Sequence, residues 1–190
     1  MNQRARAIWD ERHDSGDIGR PEPSVLEFLP LLPRGSTLDI AAGKGRHSIL
    51  LARHQMRVVA VDWSRLGLEA LAVAARKERL PIEVVVADLE QSLPFRAGTF
   101  DVVLNVNFLV RALFPSLKSV LRIGGMLLFD TFLIDQATLG HPRNPNFLLG
   151  HYELRNWLSD MELLRYREGI VDYGDGKRAW RATALARRAA

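Results

Sequence analysis

A strand–loop–helix–strand pattern between residues 36 and 64 places the strongest constraint on the fold of this chain. A short apolar run at residues 37–41 leads into a loop that contains Gly43 and Gly45. A segment with apolar residues at helical spacing follows, and then a second, β-branched run at residues 57–61. This order predicts a right-handed βαβ unit with two parallel strands. In such a unit a ligand binds beyond the carboxyl ends of the strands, beside the first loop.

The loop and the acid after the second strand have the chemistry of a nucleotide site. Gly43 and Gly45 can adopt positive φ and allow a ligand to approach the backbone closely. The helix that begins near Arg46 offers unpaired N–H groups and the positive end of its dipole to an anionic group. Asp62 ends the second strand nineteen residues after Gly43. This spacing is typical of an acid that accepts hydrogen bonds from a ribose diol.

Two common nucleotide-binding motifs fit this loop poorly. The dinucleotide fingerprint needs a third small residue. Counted from Gly43 this position is Ser48, and counted from Ala41 it is Arg46, which is too large for close packing of the helix on the strand. A P-loop needs Ser or Thr directly after its lysine, and Lys44 is followed by neither. A nicotinamide site and a P-loop are therefore disfavoured.

A third possibility agrees with motifs along most of the chain. The segment from Leu38 to Arg46 resembles the first motif of class I S-adenosylmethionine (SAM) dependent methyltransferases, an acid followed by small residues and glycines. Ala41 stands where that family usually has glycine, and we expect it to be tolerated with a negative φ. The resemblance covers about residues 8–188 and implies SAM as the cofactor. Four later segments resemble further motifs of the family in the same order, at residues 62–64, 87–89, 100–104 and 121–127.

The resemblance implies roles for residues of the first two motifs. Asp39 corresponds to the acid that orients the methionine part of SAM. Asp62 corresponds to the acid that binds the ribose hydroxyls, and Trp63 would lie beside the adenine. The alternatives are structural: Asp39 and Asp62 would cap backbone N–H groups, and Trp63 would pack in the core.

Residues after the third and fourth strands complete the predicted site. Asp88 would accept a hydrogen bond from the adenine amino group, and Leu89 would pack on the ring. Asn105 lies where the family contacts SAM through the backbone. The structural alternatives are a polar strand end for Asp88 and a turn for Asn105. The predicted cofactor-contacting residues are Asp39, Ala41, Gly43, Gly45, Asp62, Trp63, Asp88, Leu89 and Asn105.

No catalytic residue and no metal site is assigned from the sequence. A soft methyl acceptor needs mainly alignment with the cofactor, whereas a hydroxyl or amine also needs a base that accepts its proton. His13, His141 and His151 are candidates for that base only because they fall in predicted cap or loop segments.

The remaining pattern predicts an α/β fold. We expect a Rossmann-like, doubly wound, seven-stranded sheet, mostly parallel with one antiparallel strand near the C-terminus, and helices on both faces. The chain would form a single domain over residues 1–190, with a cap or lid (1–23), a SAM-binding core (24–133), and a segment of loop, short helix and hairpin (134–190). The predicted helices are 25–32, capped by Ser24, 65–79, capped by Ser64, 111–122 and 151–158. The later strands are a buried one at 82–87, and those at 100–106, 126–132, 161–171 and 177–187.

Composition excludes several classes of protein. The chain has no Cys, which excludes disulfides, a thiolate nucleophile and Cys-based metal sites. It has no apolar run long enough to span a membrane and no signal peptide, so we expect a cytoplasmic protein. Its net charge is +4 and its pI is near 9.8, yet the arginines are scattered, which argues against a nucleic-acid partner.

The expected substrate is a small molecule. The segments 113–117, 129–132 and 144–149 resemble the tellurite-resistance (TehB-like) branch, which implies small, soft acceptors such as tellurite or selenite. Arg20, Arg111 and Arg143 could attract such an oxyanion. The alternatives are an RNA methyltransferase, favoured by the basic pI, and a SAM-binding regulator that performs no chemistry.

Overall fold

The computed structural model describes residues 18–90 and 92–189, which form a seven-stranded sheet with the order β3-β2-β1-β4-β5-β7-β6. Neighbouring strands from β3 to β5 are parallel, and β7 runs antiparallel to both β5 and β6. The predicted fold, with one reversed strand near the C-terminus, is therefore confirmed. The strands are β1 (Ser36–Ile40), β2 (Arg57–Asp62), β3 (Ile82–Val86), β4 (Phe100–Val106), β5 (Leu121–Phe132), β6 (Glu162–Asp172) and β7 (Arg178–Arg187).

Helices cover both faces of this sheet. The helices are α1 (Pro23–Phe28), α2 (Arg46–Arg53), α3 (Arg65–Glu78), α4 (Phe114–Ser119), α5 (Gln136–Leu139) and α6 (Glu153–Trp157), with 3-10 turns at Leu29–Leu31, Arg111–Leu113 and Pro145–Phe147. Successive strand residues point to opposite faces. Val103 accordingly packs in the core with α4 and α6, whereas Val102 and Leu104 pack in the core with α1 and α2.

β3 is an edge strand, and the prediction that it is buried was wrong. It pairs only with β2, and Val84 and Val86 are 37% and 47% exposed. The run at 82–86 is apolar enough to be read as a central strand, but its position last in the strand order leaves one side open.

The two predicted helix caps have different outcomes. Ser64 caps α3 as predicted, because its Oγ accepts a hydrogen bond from the N–H of Gly67 at 3.2 Å. Ser24 does not cap α1. That helix begins at Pro23, whose fixed φ suits the first turn, and Glu22 occupies the N-cap position.

The turn predicted at Gly124 and Gly125 lies inside a strand. β5 already begins at Leu121, and its pairing with β4 shifts register between Phe100 and Val102. A Cβ on Gly125 would lie 3.1 Å from the carbonyl oxygens of Phe100 and Asp101 in β4, so glycine allows the two strands to approach closely there. The preceding helix, predicted to reach residue 122, is therefore shorter and ends at residue 119.

The segment that follows β5 is more ordered than the predicted loop. It contains α5 and the 3-10 turn at 145–147, and it buries Leu148 and Leu149. The predicted hairpin is present as β6 and β7. Most of the predicted cap, residues 1–17, lies outside the described residues. No helix among the residues that the structure describes has the length and apolar character needed to cross a lipid bilayer.

Candidate active site

The glycine loop between β1 and α2 contains three residues with positive φ. These are Ala41, Gly43 and Gly45, at φ 53°, 56° and 79°. The expectation of a negative φ at Ala41 was therefore wrong, and the loop holds an alanine in a conformation that disfavours L-residues by about 1–2 kcal/mol. A Cβ on Gly45 would lie 2.3 Å from the side chain of Leu71, so close packing against α3 also requires glycine there.

Asp62 joins the end of β2 to this loop. Its Oδ2 accepts a hydrogen bond from the N–H of Gly43 at 2.8 Å, and its Oδ1 accepts one from the N–H of Ser64 at 2.7 Å. A carboxylate has roughly four lone-pair positions. The buried Asp62 therefore braces the loop and keeps the capacity to accept hydrogen bonds from a ligand.

Asp39 fastens β1 to α2. It is 1% exposed, and the Oγ of Ser48 donates a hydrogen bond to its Oδ2 at 2.6 Å. Burial raises the pKa of Asp39 to about 7. Ser48, the residue that disfavoured the dinucleotide fingerprint, is thus the partner of this acid. The contact of Asp39 with the methionine part of SAM stays a prediction.

The residues predicted to surround the adenine lie at the ends of β2 and β3. Strand pairing places Asp62 beside Val86, and Asp88 follows at the exposed end of β3. Asp88 accepts a hydrogen bond from the N–H of Glu90 at 2.9 Å. Leu89 is buried in the core and Trp63 is half-buried. The structure thus brings Asp88 to the same edge of the sheet as Asp62.

Two asparagines end β4 next to the glycine loop. Asn105 pairs with Ile40 of β1, is 1% exposed, and donates a hydrogen bond to the carbonyl of Phe108 at 2.7 Å. Asn107 is exposed and has φ 59°. The side chain of Asn105 therefore stabilises the turn, while Asn107 is exposed at the carboxyl edge of the sheet, where ligands of open α/β sheets bind in a crevice.

A polar cluster around Glu22 was not predicted. Its carboxylate accepts hydrogen bonds from Arg46 Nη2 at 3.3 Å, from Asn107 Nδ2 at 3.1 Å and from the hydroxyl of Tyr173 at 3.0 Å. The N–H of Glu22 donates to Nε2 of His47 at 3.2 Å. Burial lowers the pKa of His47 to about 3, so this ring is a neutral acceptor. Glu22 thus joins the start of α2, the end of β4 and the β6–β7 turn.

A buried ion pair extends this cluster beneath Asn107. Arg181, 1% exposed, contacts Oδ1 of Asp130 through Nε at 2.8 Å and through Nη2 at 2.5 Å. Its Nη1 donates to Oδ1 of Asn107 at 2.6 Å, and the guanidinium lies 4.3 Å from the centre of the Phe132 ring. Thr183 donates to the other oxygen of Asp130 at 3.1 Å. The sequence signal that could have indicated this ion pair was a charged residue within each of two apolar strands.

The structure describes two of the three histidines proposed as bases. His13 lies outside the described residues, and His141 is exposed. His151 contacts Asp135 at 2.8 Å through Nε2 and Glu168 at 3.1 Å through Nδ1. The hydrogen bond to Glu168 and the charges of both carboxylates raise the pKa of His151. Both of its ring nitrogens are therefore engaged by carboxylates.

Of the three arginines proposed to attract an oxyanion, Arg111 is already paired with a carboxylate. Arg111 forms a two-point ion pair with Glu153, at 2.7 and 2.9 Å, and donates to the carbonyl of Leu148. Arg20 and Arg143 are exposed. Arg111 thus fastens the segment after β5 to α6.

Comparison with known proteins shows that part of this chain is similar to a domain family. Residues 37–125, slightly less than half of the chain, match the family model described as a methyltransferase domain. The malonyl-[acyl-carrier protein] O-methyltransferase of Herminiimonas arsenicoxydans is 36% identical over 113 residues, which are 56% of this chain and 41% of that protein. The ubiquinone biosynthesis O-methyltransferase of Nitrosococcus oceani is 26% identical over 139 residues, 69% of this chain and 59% of that protein.

A third relative acts on RNA according to its name. The tRNA U34 carboxymethyltransferase of Shewanella frigidimarina is 29% identical over 166 residues, which are 78% of this chain and 49% of that protein. The chain therefore spans between about two fifths and three fifths of the length of these curated relatives.

Solved structures share the fold over nearly the whole chain. TehB from Haemophilus influenzae superposes with a TM-score of 0.77 at 20% identity, covering 96% of this chain and 66% of that one. A protein described with the conversion of a disulfide bond into a thioacetal group during echinomycin biosynthesis superposes with a TM-score of 0.76 at 17% identity. The match covers 97% of this chain and 93% of that one. Together with the domain match, these findings confirm the predicted resemblance to class I SAM-dependent methyltransferases and SAM as the cofactor of the domain.

Proposed function

We propose that this methyltransferase domain transfers a methyl group from SAM to a small-molecule acceptor. One observation carries the proposal: Asp62 braces the glycine loop through Gly43 and still has acceptor capacity at the carboxyl end of β2. Small-molecule chemistry is supported by the names of two relatives, which act on malonyl-[acyl-carrier protein] and in ubiquinone biosynthesis.

The residues at the carboxyl edge of the sheet fit the nucleoside half of SAM. In the proposal, the carboxylate of Asp62 accepts from the ribose hydroxyls and that of Asp88 accepts from the adenine amino group. Leu89 and Trp63 supply apolar surface beside the ring. Backbone with positive φ at Gly43 allows the ligand to approach closely. In these polar contacts the protein supplies hydrogen-bond acceptors and the ligand supplies donors, so the two partners are chemically complementary.

Bound SAM supplies an electrophilic methyl group on a positively charged sulfur. The chain itself binds and orients the two reactants and excludes water from the crevice. Asn107 lies at the end of β4 in that crevice, and its amide is held on one side by Arg181 and on the other by Glu22. We assign no proton-transfer step to a residue of this chain.

Tellurite and selenite are the first acceptors to test, because the segments 113–117, 129–132 and 144–149 resemble the TehB-like branch. Arg111 cannot serve as their free cation in this structure, since Glu153 already pairs with it. A small acceptor that is methylated on oxygen, as the names of the O-methyltransferase relatives describe, is therefore tested beside them.

Thermal unfolding with SAM, S-adenosylhomocysteine and NADH tests the cofactor site. A ligand that binds only the native state adds about 2.7 kcal/mol of stability at 100 times its Kd. We expect both adenosyl compounds to raise the unfolding midpoint and NADH to leave it unchanged. Asp88→Ala, an exposed position, should weaken the shift, whereas Arg53→Ala, on the far end of α2, should not. Absence of a shift with either adenosyl compound would refute the proposal.

RNA methylation is the second candidate, favoured by the tRNA-modifying relative and the basic pI. A protein that neutralises RNA phosphates binds more weakly as salt increases. Binding of labelled tRNA that falls steeply between low and physiological salt would support this candidate. A SAM-binding regulator would bind the cofactor and yet release no S-adenosylhomocysteine with any acceptor.

A further inference from the structure

The predicted contacts leave the amino-acid half of the cofactor with Asp39 as its one predicted side-chain partner. Asp62 and Asp88 end β2 and β3, on one side of β1. The strand order places β4 on the other side of β1. A ligand that spans the glycine loop from its nucleoside end therefore reaches the region where β1 and β4 end. Asn105 is turned into its own loop there, and Asp39 is buried against Ser48.

An opposite-charge pair occupies this second region. Arg46 is the first residue of α2, directly after the glycine loop, and its guanidinium lies 3.3 Å from the carboxylate of Glu22. The side chains of Arg46 and Glu22 are 29% and 9% exposed. Arg46 also donates to the carbonyl of Arg20 at 3.2 Å. Both contacts are long, and a guanidinium carries further N–H donors, so Arg46 keeps donors for a ligand.

The chemistry of the missing half matches this pair. The amino-acid end of SAM carries one α-ammonium group and one α-carboxylate, and thus needs an acceptor and a cation side by side. We infer that Arg46 and Glu22 bind the amino-acid end of the cofactor, Arg46 through the carboxylate and Glu22 through the ammonium group. This inference rests on the proposed function and adds two binding residues to it.

The surrounding cluster holds Glu22 in the required orientation. Asn107 and Tyr173 donate to its two carboxylate oxygens, and Arg181 fixes the amide of Asn107 from below. His47 accepts the backbone N–H of Glu22 as a neutral ring, so it adds no competing positive charge. Asp130 neutralises Arg181. The charges of the cluster that remain are those of the partly exposed Arg46 and the buried Glu22, which balance each other as a zwitterion requires.

The competing explanation is a purely structural one, in which Glu22 only fastens the segment before α1 to the rest of the fold. The two explanations differ in ligand selectivity. A structural fastening weakens every adenosyl ligand equally when it is broken. Direct contacts weaken only ligands that carry the group contacted.

Three ligands separate these cases by isothermal titration calorimetry. S-adenosylhomocysteine carries both charged groups, decarboxylated SAM carries only the ammonium group at that end, and 5′-methylthioadenosine carries neither. Arg46→Ala should weaken S-adenosylhomocysteine about 10- to 100-fold, the usual range for a charge-assisted hydrogen bond, and leave the other two ligands within about twofold. Glu22→Gln should weaken S-adenosylhomocysteine and decarboxylated SAM and leave methylthioadenosine unchanged.

Controls separate this inference from folding and from the proposed function. Arg53→Ala lies on the same helix, where Arg53 pairs with Glu78 on the surface, and should leave all three affinities unchanged. Arg46→Lys retains the charge and should give an intermediate loss, which protects the test if Arg46→Ala unfolds. Equal losses for S-adenosylhomocysteine and methylthioadenosine, or no loss in either variant, would overturn the inference while the proposed function stands. If the wild-type protein binds no adenosyl ligand, both fail.

Discussion

Replacing Gly45 by alanine tests the packing that shapes the cofactor loop. Gly45 has φ +79°, and an added Cβ would lie 2.3, 2.6 and 2.8 Å from three side-chain carbons of Leu71. Holding an L-residue in the left-handed region disfavours the fold by about 1–2 kcal/mol. Overpacking of a close contact adds about 1–3 kcal/mol. We therefore expect Gly45→Ala to lower the free energy of unfolding by about 2–5 kcal/mol, a large share of the stability of a domain of this size.

Gly124 provides a control with the same φ. Its φ is also +79°, but an added Cβ meets nothing within 4 Å. Gly124→Ala should therefore show the backbone component alone, about 1–2 kcal/mol. Urea unfolding without ligand, with m-values unchanged, measures both variants. The difference between them isolates the contact between Gly45 and Leu71.

A double-mutant cycle identifies the cause of the larger loss. If the Cβ added by Gly45→Ala presses on Leu71, then truncation of Leu71 in the same background removes the overlap, and the combined loss falls short of the sum. Equal losses for Gly45→Ala and Gly124→Ala, or additivity in the cycle, would show that the loop and α3 are not packed as described.

Three further changes address the polar groups. Asp130→Ala leaves Arg181 buried without its carboxylate and should destabilise the protein by about 3–5 kcal/mol in urea unfolding, more than Thr183→Val, which leaves the ion pair intact. The raised pKa of His151 means that its bridge to carboxylates contributes stability below the unfolded pKa of about 6.5 and loses it as pH rises through the folded pKa. The difference in thermal midpoint between wild type and His151→Asn should therefore shrink with increasing pH; a constant difference would contradict the bridge. Asp39 has a folded pKa of about 7, above its unfolded value of 3.8, so the native state binds the extra proton. The stability that this proton contributes should fall as pH rises from about 4 to about 7, so the difference in unfolding free energy between wild type and Asp39→Asn should change with pH over that range.

The part of the site that lies within one short segment could be predicted from the sequence. The strand run at 57–61, the acid at Asp62 and the glycines of the loop belong to one local pattern, whose period and spacing are set by backbone geometry. The bond between Asp62 and Gly43 spans nineteen residues, whereas the spacing predicted only that Asp62 accepts hydrogen bonds from a ribose diol. The φ of Ala41 was predicted wrongly because the loop, not the residue type, determines that conformation.

Features that depend on the order of the strands could not be predicted from local pattern. The run Ile82–Val86 reads as a buried strand by composition, but only the strand order shows that it has a single neighbour. Gly124 and Gly125 read as a turn, although close approach of β4 places them inside β5. In both cases the residues are compatible with two environments, and tertiary pairing decides between them.

The cluster around Glu22 was beyond prediction because its members are far apart in the chain. Glu22 meets Asn107 over 85 residues and Tyr173 over 151, and Asn107 meets Arg181 over 74. A charged residue within an apolar strand was the signal available, at Asp130 and at Arg181. Such a residue needs a buried partner, because an unpaired charge in the core is strongly unfavourable. Pairing the two would have required the register between β5 and β7.

The division of the site along the chain has a consequence for how the two ends of the cofactor are held. Gly43, Asp62 and Asp88 lie within residues 37–125, the part that matches the methyltransferase family. Glu22, Asp130, Tyr173 and Arg181 lie outside it, in the segment before β1, the end of β5 and the hairpin. If the nucleoside half of the ligand is held by the shared part, then Glu22, which is proposed to bind the ammonium group at the other end, and Tyr173, which donates to Glu22, come from the parts that the family match does not cover. We therefore expect Tyr173→Phe to weaken adenosyl ligands that carry the ammonium group, and Asp88→Ala to weaken every adenosyl ligand alike. Titration of S-adenosylhomocysteine and 5′-methylthioadenosine into both variants would separate these effects, and equal losses for the two ligands in both variants would show that the two halves are not divided in this way.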